Sequence, residues 1–196
     1  MGRIKSALEI ALERTETVKS DRASLDQFDT RQQGKRLANQ FLEEQKPAVL
    51  EEEIRKTPRE RQAALKQGIF DVLISRLGLP LSRDDEKRIA AAGKGLQIII
   101  NNPRFNTINK QLGQILSQYL DQVAQYEEAI KRQYSPKLRQ KEEELSRRLG
   151  RQIQIDPFQD PEFTAFYNQN MNALKGNYQP AVDGVREEAI RLFEKN

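Results

Sequence analysis

The stretch FNTINKQLGQILSQYLDQVAQYEEAIKRQY, residues 105–134, decides the fold. Phe105, Ile108, Leu112, Ile115 and Tyr119 recur at spacings of three and four, and Leu116, Leu120, Val123, Ile130 and Tyr134 form an adjoining stripe. That spacing predicts one helix of about 45 Å, at 1.5 Å per residue, with a wide apolar face. Such a face must be buried against other helices or against a partner. Phe105, Ile108, Leu112, Ile115, Tyr119 and Val123 are therefore the candidate partner or self-association face.

Downstream, Ser135-Pro136 offers an N-cap hydroxyl and an N1 proline, which predicts a restart of the helix. Leu138, Leu145 and Leu149 carry a narrow seam from there to a stop at Gly150. Residues 151–155, Arg-Gln-Ile-Gln-Ile, alternate with period two and predict a short extended segment. Two short helices should close the chain, from Pro161 to Gly176 and from Pro180 through Phe193.

Upstream, Asn101-Asn102-Pro103 ends residues 83–100, a stretch open to two readings. Ala90-Ala91-Ala92 favours helix, whereas Leu96-Gln97-Ile98-Ile99-Ile100 has strand propensity; helix is the preferred reading. Ser82 is its expected N-cap, with Asp84 and Asp85 complementing the helix dipole. Thr57-Pro58-Arg59-Glu60 reads as a capping box opening a helix that stops at Gly78. Before it, Ile4, Leu8, Ala11 and Leu12 predict a first helix ending near Val18–Asp21. A second runs from Leu25 and Phe28 to Lys46-Pro47, weakened at Gly34.

Together these elements predict an all-α fold: an elongated multi-helix bundle of about seven helices around one long central helix. It is expected as a single domain over 1–196, with 1–45 an N-terminal arm and 151–196 a C-terminal cap.

Composition restricts the chemistry. The chain has no Cys, no His and no Trp. The usual thiol nucleophile, imidazole base, zinc site and disulfide framework are absent. No catalytic residue, metal site or cofactor is expected. Glu51-Glu52-Glu53, Asp84-Asp85-Glu86 and Glu142-Glu143-Glu144 read as solvated faces or helix starts, since neighbours in a helix do not face each other; Glu143–Arg147 and Glu144–Arg148 read as i,i+4 ion pairs. Asp156, Asp160 and Glu162 could hold a hard cation, but capping explains them. Gly93-Lys94 lacks the first Gly and the hydroxyl of a phosphate loop.

Charge is spread thinly: 33 Lys+Arg against 29 Asp+Glu give +4. The densest basic stretch is Lys131, Arg132, Lys137, Arg139, Lys141, Arg147, Arg148 and Arg151, the candidate nucleic-acid surface. There is no apolar run of membrane-spanning length and no apolar leader, so the expectation is a cytoplasmic protein with no membrane partner. Met1–Ser6 fits the myristoylation pattern, but Ile4 also begins the amphipathic helix.

Three passages carry a resemblance. They are Ser6–Glu16 (SALEIALERTE), Gly34–Leu42 (GKRLANQFL), and the Lys141–Tyr178 region with Ile155-Asp156-Pro157-Phe158 and Asp160-Pro161-Glu162-Phe163. They resemble a family of uncharacterised bacterial proteins classed as a domain of unknown function. The resemblance implies a bacterial, cytoplasmic setting and brings no activity or ligand. The functional expectation is a non-enzymatic helical interaction or scaffold protein, touching another protein or a second copy. The alternative is an RNA- or ribosome-associated protein using residues 131–151.

Overall fold

Proline, Asp/Asn caps and one left-handed glycine set the helix ends. The computed structural model describes the backbone of residues 7–195 and the side chains of residues 24–195. The Met1–Ser6 pattern and the Ile4–Leu12 seam lie outside the described side chains. Six helices and no strand occur among the described residues: α1 (Ala7–Glu44), α2 (Pro47–Lys56), α3 (Arg59–Ser75), α4 (Arg83–Ile100), α5 (Pro103–Leu149) and α6 (Pro161–Glu194), with a 3-10 turn at Pro157–Gln159. No described helix is long and apolar enough to cross a membrane.

Three expected breaks are bridged. α1 passes through residues 18–21, which contain neither Gly nor Pro. α5 passes through Pro136 and α6 through Pro180. A proline inside a helix removes one backbone bond and strains the turn before it. Here packing on both sides holds the helix together: Tyr134 and Leu138 flank Pro136, and Tyr178 and buried Val182 flank Pro180. A Ser-Pro pair has the same local signature at a helix start and mid-helix, and only tertiary burial separates the two cases.

The stretch 83–100 is helix, ending at Asn101 in the left-handed region (φ 43°). Its cap forms as expected: Asp85 N donates to Ser82 Oγ (3.2 Å), and Leu81 N donates to Asp85 Oδ2 (3.2 Å). The Thr57 capping box does not form. Thr57 Oγ1 instead donates to Glu53 O (2.7 Å), closing α2, and α3 begins after Pro58 with no side-chain cap. Gly78 is not the stop either, because α3 ends at Ser75. Gly150 is, with φ 65°.

The chain divides into two compact units where the sequence suggests one domain with an arm and a cap. One comprises the described residues through Arg76 together with 91–101. Its buried side chains include Phe41, Leu50, Leu65, Ile69, Leu73 and Leu96, so residues 30–41 of α1 are core and not an arm. α1 and α3 run parallel, tied by Asp26–Arg61 and Arg31–Asp71 ion pairs (2.7 Å each). They meet backbone to backbone at Gly34 and Gly68. A Cβ on Gly34 would lie 2.2 Å from Leu65 O, and one on Gly68 would lie 2.0 Å from Arg31 O. The two helices can be this close only because neither position carries a side chain.

The other unit comprises 77–90 and 102–195. In it α5 and α6 run antiparallel, pairing Arg104 with Glu188, Tyr119 with Tyr178, Glu127 with Tyr167, and Tyr134 with Phe163. Arg83 ties the first turn of α4 to Ser117 and Asp121 of α5. The core holds Tyr119, Leu120, Ile130, Tyr134, Phe163, Met171 and Leu174. α6 is thus half of a helical pair and not a terminal cap. Residues 151–155 alternate as expected, with Ile153 and Ile155 half-buried, but no strand pairs with them among the described residues. Ile153 N donates to Ser146 Oγ (2.9 Å) and Ile155 N to Glu142 Oε1 (2.8 Å), which lays the segment back along the end of α5.

Candidate functional site

The candidate partner face on α5 is packed within the chain itself. Phe105, Leu112 and Tyr119 are buried, Ile108 and Ile115 are half-buried, and Val123 packs against the core containing Tyr119. The expectation of an open face at 105–123 is therefore corrected. The period of the stripe shows a helix, but sequence alone does not say that α6, thirty-four residues long, supplies the cover.

The basic stretch is also altered by its neighbours. Lys137 pairs with Glu162 (3.0 Å), Lys141 with Asp160 (2.8 Å) and Glu162 (2.5 Å), and Arg147 with Glu143 (3.6 Å). Each of these three cations has a carboxylate partner. Lys131, Arg132, Arg139, Arg148 and Arg151 are exposed. At 3.6 residues per turn, Arg132 and Arg139 share a face while Lys131 and Arg148 point elsewhere. These exposed cations are thus spread over more than one face of the helix.

What the structure assembles instead is a polar knot where α6 begins against α5. Asp160 is the N-cap of α6, its Oδ1 accepting from Glu162 N (3.0 Å). Although only 5% exposed, it also accepts from Lys141 Nζ and from the Tyr134 hydroxyl (2.9 Å). The Lys141 ammonium holds the Asp160 carboxyl below the usual carboxylate range, against the opposing effect of burial. Lys141 and Lys137 do the same for Glu162, and the two carboxylates raise Lys141. Burial, reinforced by Asp160, raises the Tyr134 phenol. Along the same seam burial, with a 2.6 Å hydrogen bond to Glu127, pushes Tyr167 up to about 12.

Asp160 and Glu162, weighed above as cation ligands, thus embrace an ammonium, while Asp156 caps the 3-10 turn through Phe158 N (3.0 Å). Gly93-Lys94 sits inside α4 and forms no loop. Glu52 and Glu53 pair with Lys56, Asp84 with Lys87, and Glu86 with Arg83.

The knot makes a prediction about acid stability. A depressed carboxyl contributes stability that is complete above its unfolded value of about 3.9 and is lost as pH falls through the lower folded value. Asp160→Asn keeps the cap, since Asn caps as well as Asp, but loses the charge. Urea unfolding of Asp160→Asn is expected to show a flatter acid limb than wild type. Asp160→Ala loses the cap as well, at about 1 kcal/mol at neutral pH. Identical acid limbs in wild type and Asp160→Asn would remove this role.

Beyond the knot α5 continues past the first residue of α6. There a cleft of about 440 Å³ is lined by Lys141, Glu144, Leu145, Arg148, Ile155, Gln159 and Asp160. Leu145 is 37% exposed and Leu149 58%. Glu143 and Arg147 pair on the far side of the helix, but the second expected pair, Glu144–Arg148, is not made. Glu144 accepts from the Gln140 amide (3.3 Å), and among the described residues Arg148 has no charged partner. Leu145 and Leu149 belong to the narrow seam that runs to Gly150; their exposure follows from where α6 starts, for which Asp160-Pro161 is the local signal.

No curated protein and no solved structure matches the chain. A family model does match, over residues 51–191. Of the three passages that carry the resemblance, the Lys141–Tyr178 region lies inside this match and the two earlier ones lie outside it. The matched span takes in all of α3 to α5, most of α6, the knot and the cleft, well over half of the chain, and on that basis the chain belongs to a family of unknown function, DUF6657.

Proposed function

We propose that this protein is a non-enzymatic helical interaction protein of the bacterial cytoplasm, and that it engages another protein through the end of α5. The observation that carries this reading is the pair Leu145 and Leu149, exposed on a helix end that continues beyond the start of its partner helix. Apolar side chains with charged neighbours are the usual make-up of a helix surface that another helix covers. The bacterial and cytoplasmic setting rests on the family resemblance. The alternative of RNA contact through residues 131–151 is weakened by the carboxylates already bound to Lys137, Lys141 and Arg147.

A photo-crosslinking residue at position 149, introduced in the native cell, tests it. Protein adducts are expected from position 149 and not from exposed Gln125, higher on α5. Adducts to RNA alone, or no adduct from either 145 or 149, would overturn the reading.

A further inference from the structure

The surface at the end of α5 has a further property: it complements itself. Leu145 and Leu149 lie one turn apart, with Leu138 and Lys141 on the same side of the helix toward α6. The returning segment lies along one flank of this seam, held by Glu142 and Ser146. The opposite flank carries Glu144 and Arg148, also one turn apart. Both line the cleft, and among the described residues neither is engaged by an opposite charge. An acid and a base at an i,i+4 spacing ordinarily pair with each other; here they stand open side by side.

Resting on the reading above, we infer that the occupant of this surface is a second copy of the chain, its α5 end packed antiparallel on the first. A two-fold axis at the level of residue 146 places Glu144 of each copy opposite Arg148 of the other, with Leu145 and Leu149 of both copies between them. Such an axis requires one patch to match itself, which a lone acid or a lone base beside the leucines would not do. The contact also continues the antiparallel α5–α6 seam. The second copy's helix occupies the line that α6 leaves vacant beyond Pro161, in the same orientation relative to α5. Two leucines a side make a small contact, so association is expected to depend on concentration.

Sedimentation of the purified full-length chain over a range of concentrations is the test. Wild type is expected to associate. Glu144→Arg and Arg148→Glu each set like charges opposite one another twice, and each alone is expected to weaken association by about tenfold or more. Mixing the two variants restores both pairings in a heterodimer, and the double variant Glu144→Arg/Arg148→Glu restores them in a homodimer. Helix content measured by circular dichroism separates loss of contact from loss of fold, since these side chains make no ion pair among the described residues. Wild type that stays monomeric throughout, or single variants that weaken association without rescue in the mixture, would overturn the inference. The two proposals fail differently: a monomeric chain whose position 149 crosslinks to another protein in the cell ends the self-association and leaves the interaction reading standing.

Discussion

Replacing Gly68 with alanine is expected to destabilise the α1–α3 unit by about 2 kcal/mol or more, although alanine is the better helix former by about 1 kcal/mol. The reason is what the new methyl group would meet. Its position is 2.0 Å from the carbonyl oxygen of Arg31, and the corresponding atom on Gly34 would be 2.2 Å from that of Leu65. A carbon and an oxygen in favourable contact sit about 3.3–3.6 Å apart. The neighbour is backbone in a helix, so no rotamer change relieves the overlap, and α1 must move away from α3 as a whole. That displacement loosens the packing of Leu65, Ile69 and Phe41, all buried. Gly113 and Gly184 serve as controls, because a Cβ on either meets nothing within 4 Å. Alanine there should stabilise by about 0.5–1 kcal/mol. Opposite signs for the two pairs of substitutions in urea unfolding would establish the close contact. A stabilising Gly68→Ala would rule it out.

Phe163→Ala should cost still more, about 3–5 kcal/mol, in the unit built on α5 and α6. Phe163 is fully buried in the first turn of α6, with the Tyr134 ring 5.2 Å away, the Phe158 ring 5.2 Å away on another side, and Tyr167 one turn on at 6.1 Å. Removing it empties the middle of the aromatic group, and the contacts that remain, Phe158 with Tyr167 (5.2 Å) and Tyr134 with Phe166 (6.3 Å), flank the hole without filling it. The knot just above it relies on that packing, since Asp160 and Glu162 reach Lys141 only while the first turn of α6 stays docked. Phe158→Ala, by contrast, removes a ring that is 51% exposed and should cost under about 1 kcal/mol. Equilibrium unfolding by circular dichroism compares the two, and equal losses would show that the aromatic group is not organised around Phe163.

The helical periods are legible in the sequence outside α2, because each helix buries one face and that demand is written at spacings of three and four; α2 (Pro47–Lys56), ten residues with Leu50 alone buried, carries too short a seam to stand out. The left-handed stop at Gly150, the Ser82 cap and the Asp160 cap were legible for the same reason: each rests on local chemistry. Continuity through Pro136 and Pro180 was not, since the stabilising contacts of Tyr134, Leu138 and Val182 come from packing with residues far along the chain. The same limitation explains the candidate site. The seam at 105–123 looked open because its cover begins at Pro161. The cations Lys137 and Lys141 looked available because their acids are more than twenty residues away from one of them and nearly that from the other. In the sequence Gly34 is only a weak point in a helix. Its purpose became clear once Gly68 stood against it, a pairing that spans a whole intervening helix.

The stretch Arg151–Ile155 has the alternating, β-prone composition that invites templated growth when left on the rim of a fold. Its Ile153 and Ile155 amides are already occupied by a serine hydroxyl and a glutamate, so an incoming peptide finds that side of the rung taken. Removing Ser146 and Glu142 frees both amides and is expected to shorten the lag before aggregation while leaving the helices in place.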